Sequence, residues 1–254
     1  MAVTRQFIND VNSIVKKIIP ENSGLYRFMF FAFMRLSAGN RLKRRSLLRF
    51  DVHLADHCNL NCKGCDNFSP IAPKRFLEQE AFENDCKRLA ELTGGELEDI
   101  CLLGGEPLLH TGITEIIKTA RKYFPKTEIG ILTNGILLPK MEADFWKCCR
   151  EHDIKITITK YPVKIDISLI KELAKKASVR LEVLYEEGER SFYYKPLNKK
   201  GKSRSKDSFK NCWYANRCIH LRDGKLSCAV VSYIDILNNV INISEGGEGG
   251  IRNC

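Results

Sequence analysis

The chain has 254 residues, a formal net charge of +10 and eleven cysteines, in an otherwise ordinary composition for a soluble globular protein. That length suits one large α/β domain with a small appendage at most. Eleven cysteines are too sparse for a disulfide-stapled mini-protein, and Met1 to Asn12 is too polar for a secretory leader. The expectation is therefore a cytoplasmic protein with reduced thiols, in which metal or cluster binding accounts for their number. The charge suits an anionic partner, whether nucleic acid, a nucleotide-linked substrate or a membrane surface, and a Lys-rich solvated surface explains it equally well.

Thr4 to Ile19 places Phe7, Val11, Ile14, Val15 and Ile18 at helical spacing and stops at Pro20. Leu25 to Leu36 is nearly all apolar but far shorter than the roughly 20 residues of a membrane span. With Arg41, Lys43, Arg44 and Arg45 behind it, it could lie on an anionic membrane surface. Covering an open side of the main domain is the commoner use of such a helix.

From Leu47 the pattern changes to short apolar runs alternating with amphipathic stretches. "LLRFDVHLA" reads as a strand leading into "HCNLNCKGC". A helix from about Glu78 to Leu92 is closed by Gly94-Gly95, and "LEDICLLG" is the second strand. The helix "ITEIIKTARKYF" stops at Pro125, and "TEIGILTNG" is the third strand. A helix from about Lys140 to His152 precedes "DIKITITKYP", and the helix "DISLIKELAKKA" precedes the fifth strand, "SVRLEVLY". Strands alternating with helices of about a dozen residues signify βαβ units and a parallel sheet. Five such strands in a row give α/β as the expected fold class, an open or partial (β/α) barrel with its site where strands end and loops begin. Lys195 to Lys210 is strongly basic and aperiodic and reads as a linker. Beyond it, "CIHLRDGKLSCAV" reads as a hairpin turning at Asp223-Gly224. The expected division is an N-terminal helical extension (1–46), a barrel (47–194) and a basic linker with a cysteine-rich end (195–254).

Cys58, Cys62 and Cys65 form a Cys-x3-Cys-x2-Cys loop directly after the first strand. Three thiolates in eight residues can converge on one inorganic centre. A [4Fe–4S] cluster usually takes four cysteines, so three leave one iron open to a small molecule. By spacing alone, a zinc site or a purely structural cluster are the alternatives, although the next twenty residues supply no second ligand pair. After the second strand comes "GGEPLL". Gly104 and Gly105 permit close approach to the backbone, and the Glu106 carboxylate can accept from an ammonium group. The third strand ends in Thr133-Asn134-Gly135, where Asn134 can donate and accept, or simply make a turn. Cys86, Cys101, Cys148 and Cys149 read as buried small apolar residues.

Cys-x3-Cys-x2-Cys followed one βα unit later by Gly-Gly-Glu-Pro resembles the radical S-adenosylmethionine (radical SAM) superfamily, over about His53 to Leu184. The resemblance implies a partial (β/α)6-type barrel and a [4Fe–4S] cluster on Cys58, Cys62 and Cys65, with SAM on the fourth iron. Gly104, Gly105, Glu106 and Asn134 would contact SAM, with Glu106 on its methionyl ammonium. It further implies reductive cleavage of SAM to a 5′-deoxyadenosyl radical that abstracts hydrogen from a substrate, and a one-electron reductant such as flavodoxin or ferredoxin. Nucleic acid is not an expected partner. Many members carry an aromatic residue before the third cysteine, where this chain has Gly64, so Phe68 is the substitute for an adenine contact. The catalytic residues and the substrate are not legible. A peptide is the first candidate, because auxiliary-cluster members include peptide and protein modifiers; a sugar- or nucleotide-linked metabolite is the other, the loop also resembling chains associated with cell-surface polysaccharide pathways. A non-catalytic iron–sulfur electron carrier or redox sensor is the alternative reading.

Cys212, Cys218, Cys228 and Cys254 resemble the auxiliary-cluster region of SPASM or twitch-type members, which implies a second iron–sulfur cluster. Two departures stand against it. Gly224 to Cys228 is one residue shorter than the usual spacing, and relatives commonly continue past the position of Cys254. Zinc, or no metal, are the other readings. His57 could tune the cluster or pack at the loop entrance, and Tyr161 and Lys199 to Arg204 could face substrate.

Overall fold

The computed structural model describes residues 49–185, 204, 207, 219–222 and 224–228. These all belong to one compact unit, Ser46–Cys254. The expected N-terminal helices and Cys212, Cys218 and Cys254 lie outside the described residues, as does the basic linker apart from Arg204 and Asp207.

Alternation of side chains sets the sheet. In β1 (Arg49–Ala55), Phe50, Val52 and Leu54 share one face, and Arg49, Asp51 and His53 the other. The strands β2 (Asp99–Gly104), β3 (Glu128–Thr133), β4 (Ile154–Thr159) and β5 (Arg180–Leu184) follow, each pairing in parallel with its predecessor. Register aligns Phe50 with Ile100, Ile100 with Ile129, and Ile129 with Ile154. One face of the sheet is therefore a continuous apolar layer. The connecting helices supply the matching stripes: Phe82, Cys86 and Leu89 on α1 (Gln79–Thr93), and Ile113, Ile116, Ile117 and Ala120 on α2 (Ile113–Tyr123). Phe145, Trp146, Cys148 and Cys149 come from α3 (Ala143–Glu151), and Ile170 and Ala174 from α4 (Ile167–Ala177). Each large side chain buried here contributes about 1.5–3 kcal/mol. Cys86, Cys101, Cys148 and Cys149 are all buried, as expected. The α/β class and the five βα-linked strands match the expectation, with ends displaced by one to three residues.

A further strand arrives from the hairpin. β6 (Ile219–Arg222) pairs in parallel with β1, and β7 (Lys225–Cys228) returns antiparallel through the turn at Gly224. The sheet order is β5-β4-β3-β2-β1-β6-β7, six parallel strands and one antiparallel edge. On sequence grounds this hairpin falls within the cysteine-rich end. In the structure Ile219 and Leu221 extend the apolar face beside Phe50 and Val52, and the Gly224 N–H donates to Asp85 on α1 at 3.1 Å. The hairpin itself is the one expected from the Asp223-Gly224 turn; its place beside β1 is added by the structure.

The amino ends of the strands are held by one side chain. Arg121, on α2, donates to the carbonyls of Thr127 (2.8 Å), His152 (2.9 Å), Phe124 (3.2 Å), Pro125 (3.2 Å) and Asp153 (3.4 Å). A guanidinium can satisfy this many acceptors because its five N–H groups fan out in one plane. The turns leading into β3 and β4 are thereby tied together, leaving the opposite, carboxyl ends for the site.

Candidate active site at the carboxyl ends of the strands

The cysteine loop leaves β1 at Ala55 and is stitched back beside it. Asp56 N donates to Arg75 O (3.0 Å), Leu77 N donates to Leu54 O (2.9 Å), and Ala55 bridges Phe76. Phe76 is held between two imidazoles, edge-on to His57 at 4.8 Å and to His110 at 5.7 Å. His110 Nδ1 accepts from Gly112 N at 3.0 Å, so its Nε2, 2.7 Å from Leu77 O, is the donor of a neutral ring. His57 thus packs at the loop entrance. Its Nδ1 is buried with no hydrogen-bond partner.

Cys58, Cys62 and Cys65 are each partly exposed and in no disulfide. Short-range bonds shape the loop: Leu60 N donates to Cys58 Sγ (3.4 Å), Cys65 N to Cys62 O (3.3 Å) and Phe68 N to Cys65 O (3.1 Å). Burial pushes the Cys58 thiol up, and the charges of Glu106 and Cys65 push the same way, while bonds from Leu60 N–H and Asn134 pull it down. Among the described residues no three of His, Cys, Asp or Glu are placed to share one metal ion. A tetrahedral zinc would need its thiolates about 3.8 Å apart, from the ~2.3 Å Zn–S bond. In a cubane each cysteine binds a different iron, so a cluster does not ask three side chains to share one ion.

Gly104 and Gly105 answer to the chain itself. A Cβ on Gly104 would stand 2.4 Å from Ala55 O, and one on Gly105 would stand 2.1 Å from His57 O. Gly105 N donates to Ala55 O at 2.7 Å, Glu106 N donates to His57 O at 3.1 Å, and Asn67 Nδ2 donates to Gly104 O. The two glycines let the root of the cysteine loop sit on the end of β2. That is the first reason for them here, ahead of close approach by a ligand.

Glu106 is 1% exposed. Its Oε1 accepts from Thr133 Oγ1 (2.6 Å) and Leu108 N (3.1 Å), and its Oε2 from Asn134 N (2.9 Å). Burial raises its pKa, opposed by these three donors. A carboxylate offers about four acceptor sites, so one remains on Oε2. Asn134 Nδ2 in turn donates to Asn59 Oδ1 (2.7 Å) and approaches Cys58 Sγ at 3.7 Å, while its Oδ1 accepts from Ile136 N (3.0 Å). The structure therefore joins Cys58, Gly104, Gly105, Glu106 and Asn134 in one hydrogen-bonded assembly spanning β1, β2 and β3. Thr133 and Asn59, which link it, are not singled out by sequence; the alternation of "GILTNG" would have marked Thr133 as the last inward position of its strand. Of the second cysteine group, only the backbone of Cys228 is described, paired with Ile219 at the end of β7.

The face of the sheet opposite the helices is polar beside β1. Asp51, His53 and His220 are buried there, with Arg49 Nε 2.7 Å from Asp51 Oδ1, His220 Nε2 3.6 Å from Asp51 Oδ2, and the two imidazoles 4.8 Å apart. The alternation Arg-x-Asp-x-His in "RFDVHLA" carried the signal for this face.

A parallel sheet whose first strand feeds a three-cysteine loop, docked on a Gly-Gly-Glu turn, defines a class. Residues 52–148, a little over a third of the chain, match the family model of the radical SAM superfamily. A GTP 3′,8-cyclase of Synechocystis sp. is 37% identical over 100 residues, 38% of this chain and 29% of that protein. A GTP 3′,8-cyclase of Helicobacter pylori is 32% identical over 96 residues, 37% and 29% of the two chains. Molybdenum cofactor biosynthesis protein 1 of Bos taurus is 34% identical over 120 residues, 44% of this chain and 18% of that protein. The chain thus spans under a third of the length of these curated relatives. The crystal structure of BtrN in complex with AdoMet and 2-DOIA superposes with a TM-score of 0.51 at 16% identity, covering 83% of this chain and 93% of that one, a likeness of fold. The family match stops at residue 148 and does not reach the SPASM-like cysteines. No helix among the described residues is long and apolar enough to cross a membrane.

Proposed function

We propose that this chain is a radical SAM enzyme, with a [4Fe–4S] cluster on Cys58, Cys62 and Cys65 and SAM against Gly104, Gly105, Glu106 and Asn134. The observation that carries it is the shared assembly in which Glu106 and Asn134 hold the carboxyl ends of β2 and β3 against the loop of Cys58. The residues present fit the two groups: three partly exposed thiols, a carboxylate with one acceptor site left for an ammonium, and the Ser69 hydroxyl, buried without a partner next to Gly105. When bound, the reduced cluster would supply one electron to SAM and so the 5′-deoxyadenosyl radical that takes hydrogen from a substrate. The chain's own part is to fix the methionyl end through Glu106, to hold Asn134 against the cluster loop, and to keep solvent from the buried end of the site. An electron carrier has no use for a carboxylate prepared in this way, which disfavours the non-catalytic alternative.

For the substrate, a nucleotide- or sugar-linked metabolite is favoured over a peptide. The net charge of +10 and the GTP in the names of the relatives support it. The test is anaerobic reconstitution with iron and sulfide, reduction, and assay for 5′-deoxyadenosine. A full cluster with no product would sink the enzymatic reading. Product that forms but responds to neither GTP nor nucleotide-sugars would remove only the substrate class. An auxiliary cluster on Cys212, Cys218, Cys228 and Cys254 belongs to the proposal as its second metal site, and would appear as iron beyond one cluster per chain.

A further inference from the structure

Ser69 is the only buried residue between His57 and Ala81, a stretch that contains the whole cysteine loop. Its neighbours Pro70 and Ile71 are exposed, as is every residue from Pro73 to Arg75. The backbone is bent to achieve this. Phe68 takes φ +52°, a left-handed conformation costing an ordinary residue about 1 kcal/mol or more, and its carbonyl accepts from Ile71 N and Ala72 N. The turn delivers a polar side chain inward where an apolar one would be the ordinary occupant. The Ser69 hydroxyl, 6% exposed as a residue, then has no hydrogen-bond partner. It stands 2.8 Å from where a Gly105 Cβ would be, next to the Glu106 cradle. Burying a hydroxyl unpaired is unfavourable, and the loop does so beside Gly105, where the proposed SAM site meets the root of the cysteine loop.

We infer that Ser69 is a further SAM-binding residue, its hydroxyl hydrogen-bonding the amino-acid end of SAM beside Gly105 and Glu106. The inference rests on the proposed function and adds a contact to it. Ser69 can both donate and accept, so either the ammonium or the carboxylate of an α-amino acid suits it. Its position also gives the strained turn at Phe68 a purpose: the loop that carries the thiols carries a contact to the molecule that completes the cluster.

The test is Ser69→Ala in the full chain, reconstituted anaerobically beside the wild type, with SAM affinity measured by equilibrium dialysis and iron counted in both. Removing one oxygen from a buried site adds no bulk, so the fold should persist, and circular dichroism checks it. The expected result is SAM binding weakened about tenfold, the effect of losing one hydrogen bond to a charged group, with iron content unchanged. Equal affinity in the two proteins overturns the inference, as does a loss of iron with the loop, which would make Ser69 structural. If the wild type binds a cluster but not SAM, the proposed function fails with it; if only the variant comparison fails, the proposed function stands.

Discussion

Asn134 Nδ2 donates to Asn59 Oδ1 across 2.7 Å, joining the end of the third strand to the cysteine loop from 75 positions away in the chain. The same side chain lies 3.7 Å from Cys58 Sγ, and its backbone N–H is bonded to Glu106. One residue thus senses both halves of the proposed site. Asn134→Ala should weaken SAM binding by an order of magnitude or so while the chain still takes up iron, since the thiols are untouched. Dialysis against SAM and an iron count on one preparation would check it.

Gly105→Ala should behave differently. Its Cβ would meet the His57 carbonyl at 2.1 Å, backbone against backbone, and nothing there can swing aside. Overpacking of this kind costs about 1–3 kcal/mol. The strain falls on the root of the cysteine loop, so reduced iron retention on gel filtration should accompany a lower midpoint in urea.

Thr133→Val keeps shape and removes the 2.6 Å donor to Glu106 Oε1. The buried carboxylate then loses one of its three partners, at a cost of roughly 1–3 kcal/mol. The measurement is chemical denaturation under reducing conditions, with SAM affinity reduced in parallel.

Burial holds the folded-state pKa of Glu106 above its unfolded value. The unfolded chain therefore releases this proton at lower pH than the folded one. Stability from this group is complete below the unfolded pKa and declines as pH rises through the folded pKa. Relative to Glu106→Gln, which cannot ionise, the wild type should lose stability as pH rises above the ordinary carboxylate range. Urea midpoints of both proteins across that rise decide it; a difference that grows with pH in favour of the wild type would contradict the assignment.

Arg121→Ala addresses the opposite end of the strands. Five carbonyls lose their donor, and a loss of about 2–3 kcal/mol is expected, in the range for broken buried networks. SAM affinity of the folded fraction should be unchanged, because the clasp lies at the amino ends of β3 and β4.

The strand and helix sequence from β1 to β5 was legible because each element is long enough for its period to show, two for strands and 3.6 for helices. Proline and glycine then marked the ends, as Pro125 and Gly94 do. Cys58, Cys62, Cys65 and Gly104 to Glu106 were legible for another reason: they are contiguous motifs, whose spacing survives without knowledge of the fold. The hairpin of β6 and β7 was legible from its Asp-Gly turn, but its pairing with β1 was not, because that partner lies about 170 residues earlier. Ser69 escaped because burial of a small polar residue in a polar loop leaves no mark on composition.

By itself the sequence determined the α/β class, the cysteine loop and the Gly-Gly-Glu turn, since these rest on local periodicity and on the chemistry of neighbouring residues. Only the tertiary structure decided what those residues do for one another. That Gly104 and Gly105 make room for Ala55 and His57, that Glu106 is claimed by Thr133 and Asn134, and that Asn134 reaches the thiol loop are all contacts between segments remote in sequence. A hydrogen bond depends on distance in space to within a few tenths of an ångström, and the order of residues along a chain carries no such distance.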